Sequence, residues 1–319
     1  MQLGYLFGGQ GGQVVGMGND LYANEPAYRQ VIDAASAVLG YDVLAKMNDK
    51  VALQTTKFTQ PLVVAHSLGL LATVKDEAPA PTVALGLSLG EYTALIASGA
   101  LTFEAGLELV AQRGLLMQAV VGHTAGNMAA VVTDDFATVE AALTQLQEQG
   151  EQVYPANYNS AQQLVIGGTP ASLTVAIAAL LELPTVSRVV PLNVAGAFHT
   201  PLLAAASEPF RRAIAGVEFH DCTFPVYSNT TEKIFERATI KETLVDQLTN
   251  PTYFAQDLQY LVADGVTELL EFGPDATLTK FARKTVKTTK RLSIFDANSL
   301  QKVRAAGLGV ITEGVGNAN

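Results

Sequence analysis

Residues Gly86-Leu87-Ser88-Leu89-Gly90-Glu91-Tyr92 constrain the fold of this chain more than any other run. They have the G-x-S-x-G form of a nucleophile elbow. The apolar stretch Pro81 to Gly86 leads in, and a helix-like stretch, Leu89 to Ser98, leads out. A serine at such a strand-to-helix turn has its hydroxyl pushed clear of the backbone, and the flanking glycines permit the sharp turn and close packing. The positive end of the following helix then faces any oxyanion formed there. G-x-S-x-G alone is a weak signal. Its position between a strand and a helix makes it a strong one and points to an α/β fold.

The rest of the chain fits that class. Leu3 to Phe7 reads as a strand running into the loop Gly8-Gly9-Gln10-Gly11-Gly12-Gln13. Helical periodicity covers Tyr28–Leu39 and Pro61–Val74, with Pro61 suited to a first turn. Thr102 reads as the N-cap of a helix with body Ala105–Val120. From Asn127 the pattern changes. Met128–Val132, Gln152–Ala156, Gln163–Ile166 and Ser187–Leu192 read as strands, with helices at Phe136–Leu146 and Ser172–Leu181. That β-α-β-β-α-β order is that of a ferredoxin-like unit. It spans 121–193 and is expected to be a small subdomain inserted between core segments 1–120 and 194–319. After it, helices and strands alternate again at Pro201–Ala215, Thr223–Tyr227, Ile240–Leu248, Tyr253–Ala263, Thr267–Glu271 and Ala276–Lys284. Such alternation argues for a parallel sheet. The Gly-rich tail after Lys302 is expected to be poorly ordered at its end.

Composition bounds the function. Of 319 residues, 49% are apolar and 16% charged, which is enough apolar surface for a well-buried globular protein rather than a disordered chain. The formal net charge of −10 disfavours nucleic acid as a partner, because phosphate binding needs a basic surface. Met1 to Asp20 lacks the basic and apolar regions of a signal peptide, and no apolar run reaches membrane-spanning length. Cys222 is the one cysteine, so no internal disulfide forms, which fits a reducing cytosol. No metal-ligand spacing appears. The chain is therefore expected to be a cytoplasmic monomer without a metal and away from membranes.

Ser88 needs a base, and the candidates are His66, His123, His199 and His220. His199 lies in Gly196-Ala197-Phe198-His199-Thr200-Pro201, a loop ending at a helix start with Thr200 as N-cap and Pro201 at N1. That is a good position for a catalytic histidine. Its plainer reading is a ring that contacts a carbonyl at a helix start. Ala65-His66-Ser67-Leu68-Gly69 mimics an elbow but sits inside a helical pattern, so His66 reads as a core or helix-surface residue. His123 and His220 read as solvated. Arg113 falls among Val110, Leu115 and Leu116, which suggests burial. A buried arginine needs an anionic partner. Either a substrate carboxylate or an internal salt bridge to Glu104 or Glu108 would serve, but both glutamates are poorly spaced for it.

Taken in order, these motifs resemble the malonyl-CoA:acyl carrier protein transacylase family over nearly the whole chain. The matching runs are Gly9-Gln10-Gly11, Thr59-Gln60-Pro61, Gly86 to Tyr92, Gln112-Arg113-Gly114 with Met117, Asn157-Tyr158-Asn159-Ser160, Gly196 to Pro201, Gln247-Leu248-Thr249-Asn250-Pro251, and Gly273-Pro274. The resemblance implies an α/β-hydrolase-like core with a small ferredoxin-like subdomain. It implies Ser88 as nucleophile and His199 as base, with the main-chain carbonyl of Gln247 holding the imidazole. The implied oxyanion donors are the amides of Gln10 and Leu89. Arg113 would hold the malonyl carboxylate, with Met117, Phe198, Gln60 and Asn159 also lining the substrate site. Malonyl-CoA and acyl carrier protein are the implied partners, and coenzyme A enters as substrate, so no cofactor is expected. Two departures stand out. The family's elbow often has His where Leu87 stands, and its first loop often has Pro and Ser where Gly8 and Gly12 stand, which should loosen that loop.

Acyl carrier proteins are usually acidic, and so is this chain. A local basic patch would offset the repulsion. The run Thr279 to Arg291 is basic and free of acids, and Lys280, Arg283, Lys284 and Lys287 are the candidate docking residues, although charge runs are more often plain solvated surface. Other readings stay open. They are a serine esterase or thioesterase, a non-catalytic carrier-binding scaffold, and a malonate decarboxylase-type or trans-acting polyketide malonyltransferase.

Overall fold

The computed structural model describes residues 2–123, 125–194 and 196–307. Among these residues, ten strands form two sheets. Strands β1 (Leu3–Phe7), β2 (Val83–Gly86), β7 (Val226–Ser228), β8 (Lys233–Ile234), β9 (Glu268–Phe272) and β10 (Lys290–Ile294) make the larger sheet. Its order is β10-β9-β1-β2-β7-β8, parallel throughout except for the antiparallel β7–β8 pair. Every residue of β1, β2 and β9 is buried. That accounts for their continuous apolar runs, since a parallel sheet is covered on both faces.

Strands β3 (Asn127–Thr133), β4 (Val153–Ser160), β5 (Gln163–Gly168) and β6 (Val186–Pro191) form a separate antiparallel sheet in the order β4-β5-β3-β6. Helices Phe136–Glu148 and Pro170–Leu181 connect β3 to β4 and β5 to β6. Side chains alternate across this sheet with period two. Ala129, Val131, Leu164 and Ile166 pack with Val139, Leu143 and Leu173 of the two helices. Met128, Ala130 and Val165 face the other way, toward Val194 and Phe198. One face is thus covered by its own helices, and the other roofs a cavity over the larger sheet. Main-chain bonds cross the junction, with Tyr158 N–H donating to Thr252 O at 2.7 Å and Thr252 N–H donating to Ala156 O at 3.0 Å.

Several boundaries differ from the sequence expectation. The helix placed at Pro61 begins a turn earlier and spans Thr56–Val74, leaving Pro61 inside it. Pro201–Leu203 forms a 3₁₀ turn capped by Thr200, and the α-helix proper is Ala204–Ala215. The helix expected over Ile240–Leu248 stops at Asp246. The strand expected at Thr223 starts at Val226. The basic run is not all one surface: it spans helix Thr277–Thr285 and then edge strand β10, where Lys290 pairs with Glu268 at 2.8 Å. The sequence reading missed β10 because its charged start hides a short apolar tail. Chain 303–306, assigned to the tail, belongs to helix Ala297–Ala306. The tail end, 308–319, lies outside the described residues.

Candidate active site

The elbow is held open by two close approaches. A Cβ on Gly86 would sit 2.0 Å from the Gly90 carbonyl carbon, and one on Gly90 would sit 2.0 Å from the Phe7 oxygen. A side chain at Gly86 would force β2 from the Gly90–Ala97 helix, and one at Gly90 would force that helix from β1. Ser88 takes the left-handed backbone region with φ 52°, and so does His199 with φ 60°. Each non-glycine residue there costs about 1–3 kcal/mol, a strain that persists only where packing over-determines it. The two strained residues meet: Ser88 Oγ lies 2.7 Å from His199 Nε2.

The other ring nitrogen, His199 Nδ1, lies 2.7 Å from the main-chain oxygen of Gln247. A carbonyl only accepts, so Nδ1 carries the proton and Nε2 is left to accept from Ser88. The Gln247 carbonyl is free for this task because its helical partner would be the N–H of residue 251, and Pro251 has none. The helix ends at that point, and its negative end points at the imidazole. Burial, and next the Arg113 charge, push His199 down to about 4. The ring is therefore neutral and able to take a proton at neutral pH.

Arg113 is 1% exposed on helix Phe103–His123. Of the neighbours that suggested burial, Val110 is buried and Leu116 packs against the core, while Leu115 is 47% exposed. Gly114 contributes too: its missing Cβ lets the helix lie against Thr56 O and Lys57 Cα, which would be 2.9 and 3.0 Å from that Cβ. Arg113 Nη2 donates to Ser88 Oγ at 3.2 Å and to Gln247 Oε1 at 2.9 Å, and the guanidinium lies over the Tyr92 ring. Its Nε has no partner among the described residues. Glu104 and Glu108 are exposed, and among the described residues Arg113 forms no salt bridge. A buried cation with an idle donor beside a serine hydroxyl is a receptor for an anionic group.

These side chains line a cavity of about 320 Å³ together with Gln10, Leu89, Gln60, Met117, Asn159 and Phe198. Gln247 stands behind them, fully buried. The Gln60 amide donates to Met117 Sδ at 3.3 Å, and Asn159 Nδ2 donates to Gln163. The oxygens Gln60 Oε1 and Asn159 Oδ1 are buried without partners. Among the described residues neither the Gln10 nor the Leu89 amide donates within the protein. Gly9 brings the first loop onto the elbow, since a Cβ there would meet Leu87 O at 2.7 Å. Gly8 and Gly12 also have close neighbours, whereas a Cβ on Gly11 would meet open space. Gly8 N–H donates to Phe272 O at 2.9 Å, and a Cβ on Gly12 would sit 2.6 Å from the Asp275 carboxyl carbon. The loosening expected from Gly8 and Gly12 is thus opposed by close packing.

The other histidines stand apart. His66 is buried against Tyr28, with Nδ1 2.7 Å from its hydroxyl, and burial pushes it down to about 4. His123 and His220 are exposed. Lys280, Arg283, Lys284 and Lys287 are exposed too, and none has an acidic partner among the described residues. The sequence reading gave no role to Glu91, which is fully buried behind the elbow. Its only signal was an acid inside an otherwise apolar helix.

The acyl transferase domain family matches residues 4–308. The chain belongs to that family. It is 32% identical over 303 residues to a malonyl CoA-acyl carrier protein transacylase of Bacillus subtilis, covering 94% of this chain and 95% of that one. It is 34% identical over 292 residues to a protein of the same name from Staphylococcus aureus, covering 91% and 94%. Among solved structures it superposes on an MCAT from Streptococcus pneumoniae with TM-score 0.90 at 36% identity, covering 94% of this chain and 98% of that one. A malonyl-transacylase solved with its type II PKS acyl-carrier protein gives TM-score 0.90 at 33% identity, covering 95% and 98%. The mixed α/β fold with its parallel sheet is the one these acyl transferases have.

Proposed function

We propose that this acyl transferase moves a malonyl group from coenzyme A to the phosphopantetheine thiol of an acyl carrier protein, supplying fatty acid synthesis. The observation that carries this reading is the Arg113 guanidinium 3.2 Å from the Ser88 hydroxyl, buried and without a carboxylate partner among the described residues. The named relatives support it. In this reading chain 1–120 and 194–319 is an α/β-hydrolase-like core, and 121–193 is a ferredoxin-like subdomain roofing the cavity.

The reaction is ping-pong. Ser88 Oγ attacks the thioester carbonyl while its proton passes to His199 Nε2, and the Gln247 carbonyl steadies the imidazolium. The Gln10 and Leu89 amides receive the oxyanion. Arg113 holds the free carboxylate, a charge-assisted contact that a neutral acyl group lacks. Met117, Phe198, Gln60 and Asn159 shape the pocket around the acyl chain. The C–S bond breaks and the thiolate takes the proton from His199. Phosphopantetheine thiol then enters and gives its proton to His199; its sulfur attacks the ester carbonyl, the C–Oγ bond breaks, and Ser88 Oγ takes the proton back from His199. The roof of apolar side chains keeps water from the ester. No metal or cofactor takes part in these steps.

The carrier docks by Lys280, Arg283, Lys284 and Lys287. The first three stand on helix Thr277–Thr285, whose residues Thr277, Leu278 and Phe281 line the cavity. An acidic carrier held there would have its arm beside the opening.

Intact-mass spectrometry after incubation with malonyl-CoA tests the reading. The expected product is one malonyl adduct, mapped to the Ser88 peptide, that persists until a thiol acceptor is added. Release of free malonate without an acceptor would make the protein a hydrolase. Presenting fatty acid and polyketide carriers side by side decides between those two pathways.

A further inference from the structure

The reading of Arg113 leaves open what aims its guanidinium. Among the described residues two neutral groups accept hydrogen bonds from it, Ser88 Oγ and Gln247 Oε1. The second is informative because a glutamine amide has two ends of similar shape and opposite hydrogen-bonding character. Only with its oxygen forward can Gln247 receive Arg113. With the amide turned over, two donors would face each other.

The turn is decided from behind by Glu91. This side chain lies in the first turn of helix Gly90–Ala97, three residues past the nucleophile, and is fully buried. One carboxyl oxygen accepts from the Asn229 main-chain N–H at 2.6 Å. The other accepts from the Gln247 Nε2. That same Nε2 donates to the Ser88 carbonyl at 3.0 Å. Two acceptors on one side thus draw the NH₂ backward and leave Oε1 pointing at Arg113. Glu91 and Arg113 make no direct ion pair among the described residues. The neutral amide between them steers the guanidinium while leaving its charge available to a ligand. A carboxylate in direct contact would compete with any anionic acyl group for the same donors.

We propose that Glu91 is a positioning residue for acyl-group selection, fixing the orientation of the Gln247 amide and through it the arginine that receives the acyl carboxylate. The inference rests on Arg113 being the carboxylate receptor. It extends that reading to a residue that touches no substrate.

Glu91→Gln tests it while keeping the shape. The Asn229 N–H still requires an oxygen, so the new amide must turn its NH₂ toward Gln247. Gln247 then meets a donor where Glu91 had accepted, and only the Ser88 carbonyl still draws its NH₂ backward, so the amide no longer holds a single orientation before Arg113. The catalytic contact between His199 and the Gln247 main chain is untouched. The expected result is a fall of about tenfold or more in kcat/KM for malonyl-CoA relative to acetyl-CoA, carried mainly by KM, as suits one misdirected charge-assisted hydrogen bond. A purely structural role would lower both donors alike and leave their ratio unchanged, and that result in the folded variant would overturn the proposal.

Should the single variant fail to fold, the exchange Glu91→Gln with Gln247→Glu decides. It restores a donor–acceptor match between the two side chains and puts a carboxylate against Arg113. The malonyl preference should stay low although the fold recovers. Parental preference in that double variant would overturn the proposal. Arg113→Ala, run alongside, separates the two ideas. If it abolishes the malonyl preference while Glu91→Gln leaves it intact, only the positioning role is lost. If Arg113→Ala leaves the preference intact, the receptor reading itself fails.

Discussion

Replacing Arg113 with alanine should change which acyl group the enzyme accepts more than how fast it turns over. The guanidinium can offer a substrate carboxylate two parallel donors. Hydrogen bonds to charged groups contribute about 1.5–3 kcal/mol each, so losing two removes about 3–6 kcal/mol from malonyl binding. At 1.4 kcal/mol per decade, kcat/KM for malonyl-CoA falls by about two to four orders of magnitude. Acetyl-CoA has no carboxylate to lose. Its rate should move by less than about tenfold, the residue of losing the 3.2 Å contact to Ser88 Oγ. The variant also strips Gln247 Oε1 of its donor at a fully buried site, costing stability about 1–3 kcal/mol. Thermal denaturation must therefore accompany the kinetics. The assay is the rate of acyl-enzyme formation on Ser88 with each thioester, read by quenched-flow mass spectrometry on protein shown to be folded. Equal losses for malonyl and acetyl would refute the argument, because a structural arginine cannot tell the two apart.

Three further outcomes are expected. His199 is held near 4, below the ordinary 6.5, so malonyl loading should stay level from neutral pH down to about 5 and fall only nearer 4; an acid limb centred at 6.5 would contradict the buried, neutral ring. The sign for stability is set the same way: the unfolded chain binds the proton first, so the contribution is complete above 6.5 and drains away as pH falls from 6.5 through 4, on the order of 3 kcal/mol, with His66 adding in the same direction. Reversing Lys284 and Lys287 to glutamate should raise KM for the carrier severalfold while malonyl loading from coenzyme A stays unchanged; unaltered carrier kinetics would show those exposed charges to be plain solvated surface.

The elbow was readable without coordinates because its signal is local. Gly86 and Gly90 bracket Ser88, and both positions exclude a Cβ in the folded chain. The strands β1, β2 and β9 were readable for a related reason: full burial writes itself as an unbroken apolar run. Boundaries were less legible. Pro61 inside its helix and the early stop at Asp246 depend on what each segment packs against. Strand β10 was hidden because an edge strand keeps only part of its length apolar.

By itself, then, the sequence determined the strand–turn–helix around Ser88 and the alternation that makes a parallel sheet; it pointed to the Gln247 carbonyl only through the family resemblance. Tertiary structure alone decided that this carbonyl meets His199 across 48 positions of chain, that Arg113 reaches the serine rather than a glutamate on its own helix, and that Glu91 stands behind Gln247. The physical reason is range. Turn chemistry and burial patterns act between near neighbours in the chain, whereas a charge buried beside a hydroxyl is specified only when separate helices close on one another.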